Sequence, residues 1–113
     1  MNNKQVAENW RAQKSNTGHS MNMFYEHKTI YSYGYHFPMA MITNSTHNGK
    51  TIVIQNSYRY SNTTAKHLNH MRGECYNDAV ITVGTPLLKR FLDYNKDIEA
   101  IKKEAKTEIE ARM

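Results

Sequence analysis

The chain has 113 residues, 39% of them hydrophobic, a net charge of +5 and one cysteine. This length is typical of one domain, and the lone Cys75 excludes an internal disulfide, which favours a reducing compartment. No apolar run approaches the roughly 18 residues of a membrane-spanning helix, and the first residues lack the apolar core of a signal peptide, so we predict a cytoplasmic protein without a membrane partner.

The basic excess is concentrated in the first part of the chain. Residues 1–86 carry eight Lys or Arg against four Asp or Glu, whereas residues 87–113 carry seven against six. All six histidines also lie before residue 87. This distribution favours a polyanionic partner for the first part of the chain.

The N-terminal segment 3–13 has helical spacing of its apolar residues. Val6, Ala7 and Trp10 share one face of such a helix. Because large aromatic side chains usually serve burial, we expect Trp10 to dock this helix onto the rest of the domain. The polar residues 14–20 indicate a loop.

Alternating aromatic and β-branched residues predict four consecutive strands, at 21–25, 29–34, 36–43 and 51–56. A turn at 26–28 joins the first two, and Gly34 marks a bulge or bend. Pro38 favours an edge position for the third strand, because proline cannot donate a hydrogen bond to a neighbour. Asn48-Gly49 indicates a hairpin within a seven-residue connection at 44–50. The pattern predicts an antiparallel meander.

A short helix at 63–72 follows, capped by Ser61 or Asn62 and ended by Gly73 in a left-handed conformation. Its apolar residues share one face, and its basic residues lie near the other. The apolar set is Ala65, Leu68 and Met71, and the basic set is Lys66, His67 and His70. The apolar segment Ala79–Val83 is a fifth strand or a buried connection.

Thr85-Pro86 predicts the start of a long amphipathic helix over 85–113, since proline suits the first helical position. We expect a single α+β domain, with a body at 1–84 and this helix either protruding or folded back. A protruding helix is a candidate homodimer contact.

Two segments combine aromatic, hydroxyl and cationic side chains. In the first, residues 31–38, strand alternation places Tyr31, Tyr33 and Tyr35 on one face, followed by His36. Such rings stack on bases, but tyrosines on a sheet also often cover a core, and both interpretations stay open. The second segment, 58–67, contains Arg59, Tyr60, Thr63, Thr64, Lys66 and His67. Its hydroxyls either cap a helix or, with Lys66, contact phosphate at the helix N-terminus.

Metal binding and catalysis have weaker support. His67 and His70 with Cys75 match no closed zinc-site spacing, so we predict neither a metal nor a cofactor. Glu26 is the only acidic residue between Glu8 and Glu74, which excludes paired carboxylates in the predicted sheet. A metal-independent nuclease, with His36 or His67 as general base, is the less favoured alternative to a protein without enzymatic activity.

The stretches YSYGYHFPMA (31–40) and YSNTTAKH (60–67), with an early Trp10, resemble motifs of an uncharacterised family of small phage and prophage proteins. The resemblance covers roughly the first 75 residues. It implies a phage accessory protein in the cytoplasm of a bacterial host, and it transfers no catalytic residues. It also raises the class of phage inhibitors that bind host defence or replication enzymes, such as anti-CRISPR proteins.

We therefore expect a phage-type protein that binds nucleic acid or a host nucleoprotein complex through one basic face rich in Tyr and His. The alternative is an inhibitor of a host defence or replication enzyme that acts by protein–protein binding. The predicted binding residues are Tyr31, Tyr33, Tyr35, His36, Arg59, Tyr60, Thr63, Thr64, Lys66 and His67.

Overall fold

The computed structural model describes residues 1–57, 62–86, 88 and 89, and these form two helices and a six-stranded sheet. In chain order the elements are α1 (Asn3–Ala12), β1 (Thr17–His19), β2 (Met23–Glu26), β3 (Thr29–Ser32), β4 (Pro38–His47), β5 (Lys50–Asn56), α2 (Asn62–Gly73) and β6 (Ala79–Val83). The predicted α+β class is confirmed.

The strands lie side by side in the same order as in the sequence. Each of the pairs from β1–β2 to β4–β5 is antiparallel, whereas β6 runs parallel to β5. A parallel neighbour needs a crossover connection, and α2 supplies it between β5 and β6. The sheet is therefore mixed: a meander followed by a β–α–β unit.

Both helices pack on one face of the sheet, which we call the inner face. Asn2 caps α1 reciprocally with Gln5, because each side chain accepts the other residue's backbone N–H. Trp10 is fully buried and donates its Nε1–H to the carbonyl of Lys28 at 2.9 Å. The prediction that Trp10 docks the N-terminal helix is confirmed. Other residues of this core are Val6, Ala7, Met23, Tyr25, Ile30, Met39, Val53, Leu68 and Met71.

The opposite face, which we call the outer face, is apolar and buried at one end of the sheet and aromatic and partly exposed at the other. Across β4, β5 and β6 it carries a second apolar cluster, and Leu88, from the segment after β6, belongs to the same cluster. Its members are at most 6% exposed: Met41, Ile52, Ile54, Ile81, Val83 and Leu88. Across β2 and β3 the same face carries aromatic side chains that solvent reaches. Within the residues the structure describes, no helix is long and apolar enough to cross a membrane.

Strand β4 differs from its prediction in position and length. The proposed edge location is wrong, because β4 lies between β3 and β5. Pro38 is tolerated there as the first residue of the strand, where a missing amide interrupts little of the ladder. Since β4 continues to His47, the connection to β5 is a two-residue turn at Asn48 and Gly49 instead of a seven-residue loop. Both turn residues have positive φ, 53° and 80°, as a tight hairpin of this type requires.

Four further predictions need correction or lie outside the described part. Strand β1 occupies a segment predicted as a loop, and Gly18 within it lets the Tyr25 ring approach, because a Cβ there would lie 2.5 Å from Tyr25 Cε1. Gly73 ends α2 without a left-handed φ. The cap proposed at Ser61 and most of the helix proposed over 85–113 fall on residues that the structure does not describe.

Candidate functional site

The β2–β3 hairpin places two aromatic rings together on the outer face. Phe24 and Tyr31 are directly opposed partners in the antiparallel register, so their side chains share a face. Their ring centroids are 4.9 Å apart and the planes meet at 16°, which is a stacked pair. This pairing depends on the two-residue turn at His27 and Lys28, because a shift of one residue would send one ring to the other face.

Tyr35, from the turn after β3, completes the group. Its ring meets Phe24 edge-on at 5.1 Å and Tyr31 edge-on at 5.2 Å. These separations and tilts are the favourable geometry for aromatic pairs. Tyr35 is 61% exposed, whereas Phe24 and Tyr31 are half-buried. We call Phe24, Tyr31 and Tyr35 the aromatic patch.

One carboxylate borders the aromatic patch. Glu26, half-buried on β2, accepts a hydrogen bond from the Tyr35 hydroxyl. This bond, followed by desolvation and the charge of Glu26, raises the pKa of Tyr35. Burial and then the same charge raise the pKa of Tyr31, which a hydrogen bond to Thr29 partly offsets. Both tyrosines are therefore held in the neutral, hydrogen-bonding form.

Tyr33 does not join the aromatic patch. Its φ is 66°, in the left-handed region, and this turns its side chain out of the strand alternation. The ring is half-exposed and lies 5.4 Å from the imidazole of His67 on α2. The prediction that three tyrosines share one face is thus wrong for Tyr33, since the chain already leaves the strand there, one residue before Gly34.

His67 is buried, contrary to the prediction that it lies on the exposed side of its helix. It is 1% exposed, and a hydrogen bond of 2.6 Å joins its Nδ1 to the Oγ of Ser32, which is fully buried on β3. Burial, and then the charge of His70, lowers the pKa of His67. This Ser–His pair ties α2 to the sheet, and solvent does not reach its hydroxyl.

The remaining predicted residues do not converge on the aromatic patch. Lys66 is exposed on α2, so the thickness of the sheet separates it from the outer face. His36 is exposed beside Tyr35 in the same turn. Only the backbone of Thr63 and Thr64, in the first turn of α2, is described, and Arg59 and Tyr60 lie outside the described residues.

Other reactive groups are poorly placed for chemistry. Burial is the main cause that raises the pKa of the Cys75 thiol, to about 12, so the sulfur is neither ionised nor accessible near neutral pH. In the described part of the chain, no three His, Cys, Asp or Glu side chains are grouped so that they could hold a metal ion.

Two residues of this site were missing from the sequence-based selection: Phe24 and Glu26. The feature of the sequence that could have indicated both residues is the length of the β2–β3 turn. A two-residue turn at 27–28 pairs Glu26 with Thr29 and therefore Phe24 with Tyr31, whereas a three-residue turn at 26–28 leaves Glu26 outside the strands. His19 on β1 pairs with Phe24 and extends the same row.

Comparisons of the chain with protein-family models, curated proteins and solved structures find no match.

Proposed function

We propose that this chain is a phage-type accessory protein that binds single-stranded nucleic acid through the aromatic patch. One observation carries the proposal: three mutually contacting rings lie on the sheet face that α1 and α2 leave open, and the most exposed of them, Tyr35, offers most of its surface to solvent. Exposed rings on a sheet stack on bases, with about 1–3 kcal/mol per base lost on alanine substitution.

The choice of single strands follows from the stacking chemistry. Bases inside a duplex are already stacked on one another, whereas unpaired bases can turn outward onto an aromatic side chain. The net charge of +5 favours attraction of the phosphate backbone. Histidines border the aromatic patch on two sides, with His19 opposite Phe24 in the register and His36 next to Tyr35.

This site contains fewer residues than the binding face proposed from the sequence. Lys66 is on the other side of the sheet and His67 is buried, so neither contacts a ligand held on the aromatic patch. The proposal therefore rests on Phe24, Tyr31 and Tyr35 and on the overall positive charge.

The test is fluorescence anisotropy with labelled single-stranded DNA and RNA oligonucleotides at low salt. We expect micromolar or tighter binding that weakens as salt rises, because bound phosphates release counterions. Tyr35→Ala should weaken binding about tenfold, in line with the loss of one stacked base. Tyr76→Ala is the matched control, since Tyr76 is 80% exposed and lies in the turn after α2.

Two results would contradict the proposal: no binding of any single strand at micromolar protein, or equal losses in both tyrosine variants. A pull-down from a nuclease-treated bacterial lysate then tests the alternative, inhibition of a host enzyme. A protein partner that persists after nuclease treatment and is lost with Tyr35→Ala would assign the aromatic patch to that role.

A further inference from the structure

A single carboxylate lies in a long stretch that otherwise has no acidic residue, and it borders the aromatic patch. Between residues 9 and 73 the sequence contains only one acidic side chain, Glu26. It lies on the outer face, where it accepts a hydrogen bond from the Tyr35 hydroxyl. A negative charge at this place opposes phosphate binding, so its position needs another explanation if the rings stack on bases.

The contact with Tyr35 places the carboxylate at the rim of an exposed ring. Glu26 accepts at the hydroxyl end of Tyr35, whose side chain is 61% exposed. A base that stacks on this ring and extends past its hydroxyl brings its edge toward Glu26. Base edges that are free of pairing are read in this way, by hydrogen bonds beside a stacking contact.

Glu26 keeps acceptor capacity for such an edge. A carboxylate has two oxygens with about four lone-pair sites, and it donates nothing when ionised. Within the described residues, the carboxylate of Glu26 accepts one hydrogen bond, which the Tyr35 hydroxyl donates to Oε1. The second oxygen and one site of the first remain for a ligand with two adjacent donors.

Only one of the common bases has that pattern on its pairing edge. Guanine presents N1–H and the 2-amino group side by side. Adenine and cytosine each place an acceptor nitrogen next to their amino group, and thymine and uracil place one N–H between two carbonyl oxygens. A carboxylate attracts the first arrangement and repels the acceptor atoms of the others.

We propose that Glu26 makes the aromatic patch selective for guanine in single-stranded nucleic acid, with the base stacked on Tyr35 and its N1–H and 2-amino group donating to the carboxylate. The proposal rests on the proposed function, because it names which base the patch holds. A good two-bond contact to a base edge discriminates by about tenfold or more.

The experiment compares oligothymidine strands that carry one central guanine, inosine, adenine or cytosine, by fluorescence anisotropy at constant salt. The wild-type protein should bind the guanine strand about tenfold more tightly than the adenine strand. Inosine lacks the 2-amino group and should fall between them. Equal affinity for the four strands would overturn the guanine assignment and leave the binding function intact, whereas binding of none of them would overturn both.

Three variants then test whether Glu26 is the source of the preference for guanine. Glu26→Gln should abolish the preference for guanine while the thymine-only strand still binds, because the amide replaces one acceptor by a donor. Glu8→Gln is the matched control, since it makes the same change of charge at an exposed position of α1. Tyr35→Phe keeps the ring and removes the hydroxyl that holds Glu26, so it should reduce the preference more than the affinity for thymine. Retained guanine preference in Glu26→Gln, with circular dichroism showing a folded protein, would refute the role of this carboxylate.

Discussion

The Ser32–His67 hydrogen bond predicts a measurable loss of stability on removal of one hydroxyl. Ser32 is fully buried and His67 is 1% exposed, so water cannot replace the bond in Ser32→Ala. Leaving a buried polar group without its partner costs about 1–3 kcal/mol. For a chain of this length, each kcal/mol lowers Tm by about 4 °C, so the variant should melt about 4–12 °C below wild type.

The assay is thermal and urea unfolding followed by circular dichroism at neutral pH. The control is Ser57→Ala, an identical substitution at an exposed serine, which should change Tm by little. If Ser32→Ala melts with the wild type, or if both serine variants lose the same stability, then the bond does not tie α2 to the sheet and the reasoning is refuted.

The same pair sets a direction for the pH dependence of stability. Burial lowers the pKa of His67 in the folded state below the ordinary histidine value of about 6.5. The unfolded chain therefore binds a proton more readily, so this contribution is present above about pH 6.5 and is lost as the pH falls below it. His67→Gln, which does not titrate, should lose less stability on acidification than wild type, while His19→Gln, at an exposed site, should behave as wild type. Stability that rises on acidification, or an unchanged slope in His67→Gln, would contradict this account.

Three other predictions concern the interior. Arg11 makes a two-bond ion pair with Asp78, at 2.7 and 2.5 Å, whose side chains are 29% and 4% exposed. Arg11→Ala should therefore cost about 1–3 kcal/mol in urea unfolding, and more than Asp78→Ala, because it leaves the more buried charge unpaired. Cys75, with its pKa raised to about 12, should resist thiol reagents in the native protein and react in denaturant; rapid native labelling would refute its burial. Gly18→Ala should lower Tm by displacing the Tyr25 ring, and an unchanged Tm would show that the ring yields without cost.

Local sequence patterns were sufficient to predict several helices, strands and turns. The spacing of Val6, Ala7 and Trp10 predicts α1 and its buried face, because an amphipathic helix needs only its own periodicity and a core to cover. Asn48-Gly49 identifies a hairpin, since few other residue pairs accept two positive φ values. The strands β2 and β3 follow from alternation over a few residues, and β5 follows from a short β-branched apolar run that is buried on both faces.

The site itself was predicted only in part. The sequence indicated Tyr31 and Tyr35, and both lie on the outer face. It could not indicate that Tyr33 turns toward α2, because a left-handed φ at a tyrosine is stabilised by the turn around it and by contacts remote in sequence. The positions of Phe24 and Glu26 beside Tyr31 depend on the register of β2 against β3. A change of one residue in the turn length shifts that register and moves side chains to the other face.

By itself, the sequence determined most of the helical and extended segments, where charge accumulates and which residue types are available for binding. It did not determine β1 or the second half of β4, which it predicted as loops. The tertiary structure decided which face each side chain occupies: α2 covers the inner face and buries His67, β6 pairs in parallel with β5, and the aromatic patch stays on the face opposite both helices. The physical reason is that periodicity is a property of neighbours in the chain, whereas burial and contact depend on elements brought together from distant positions.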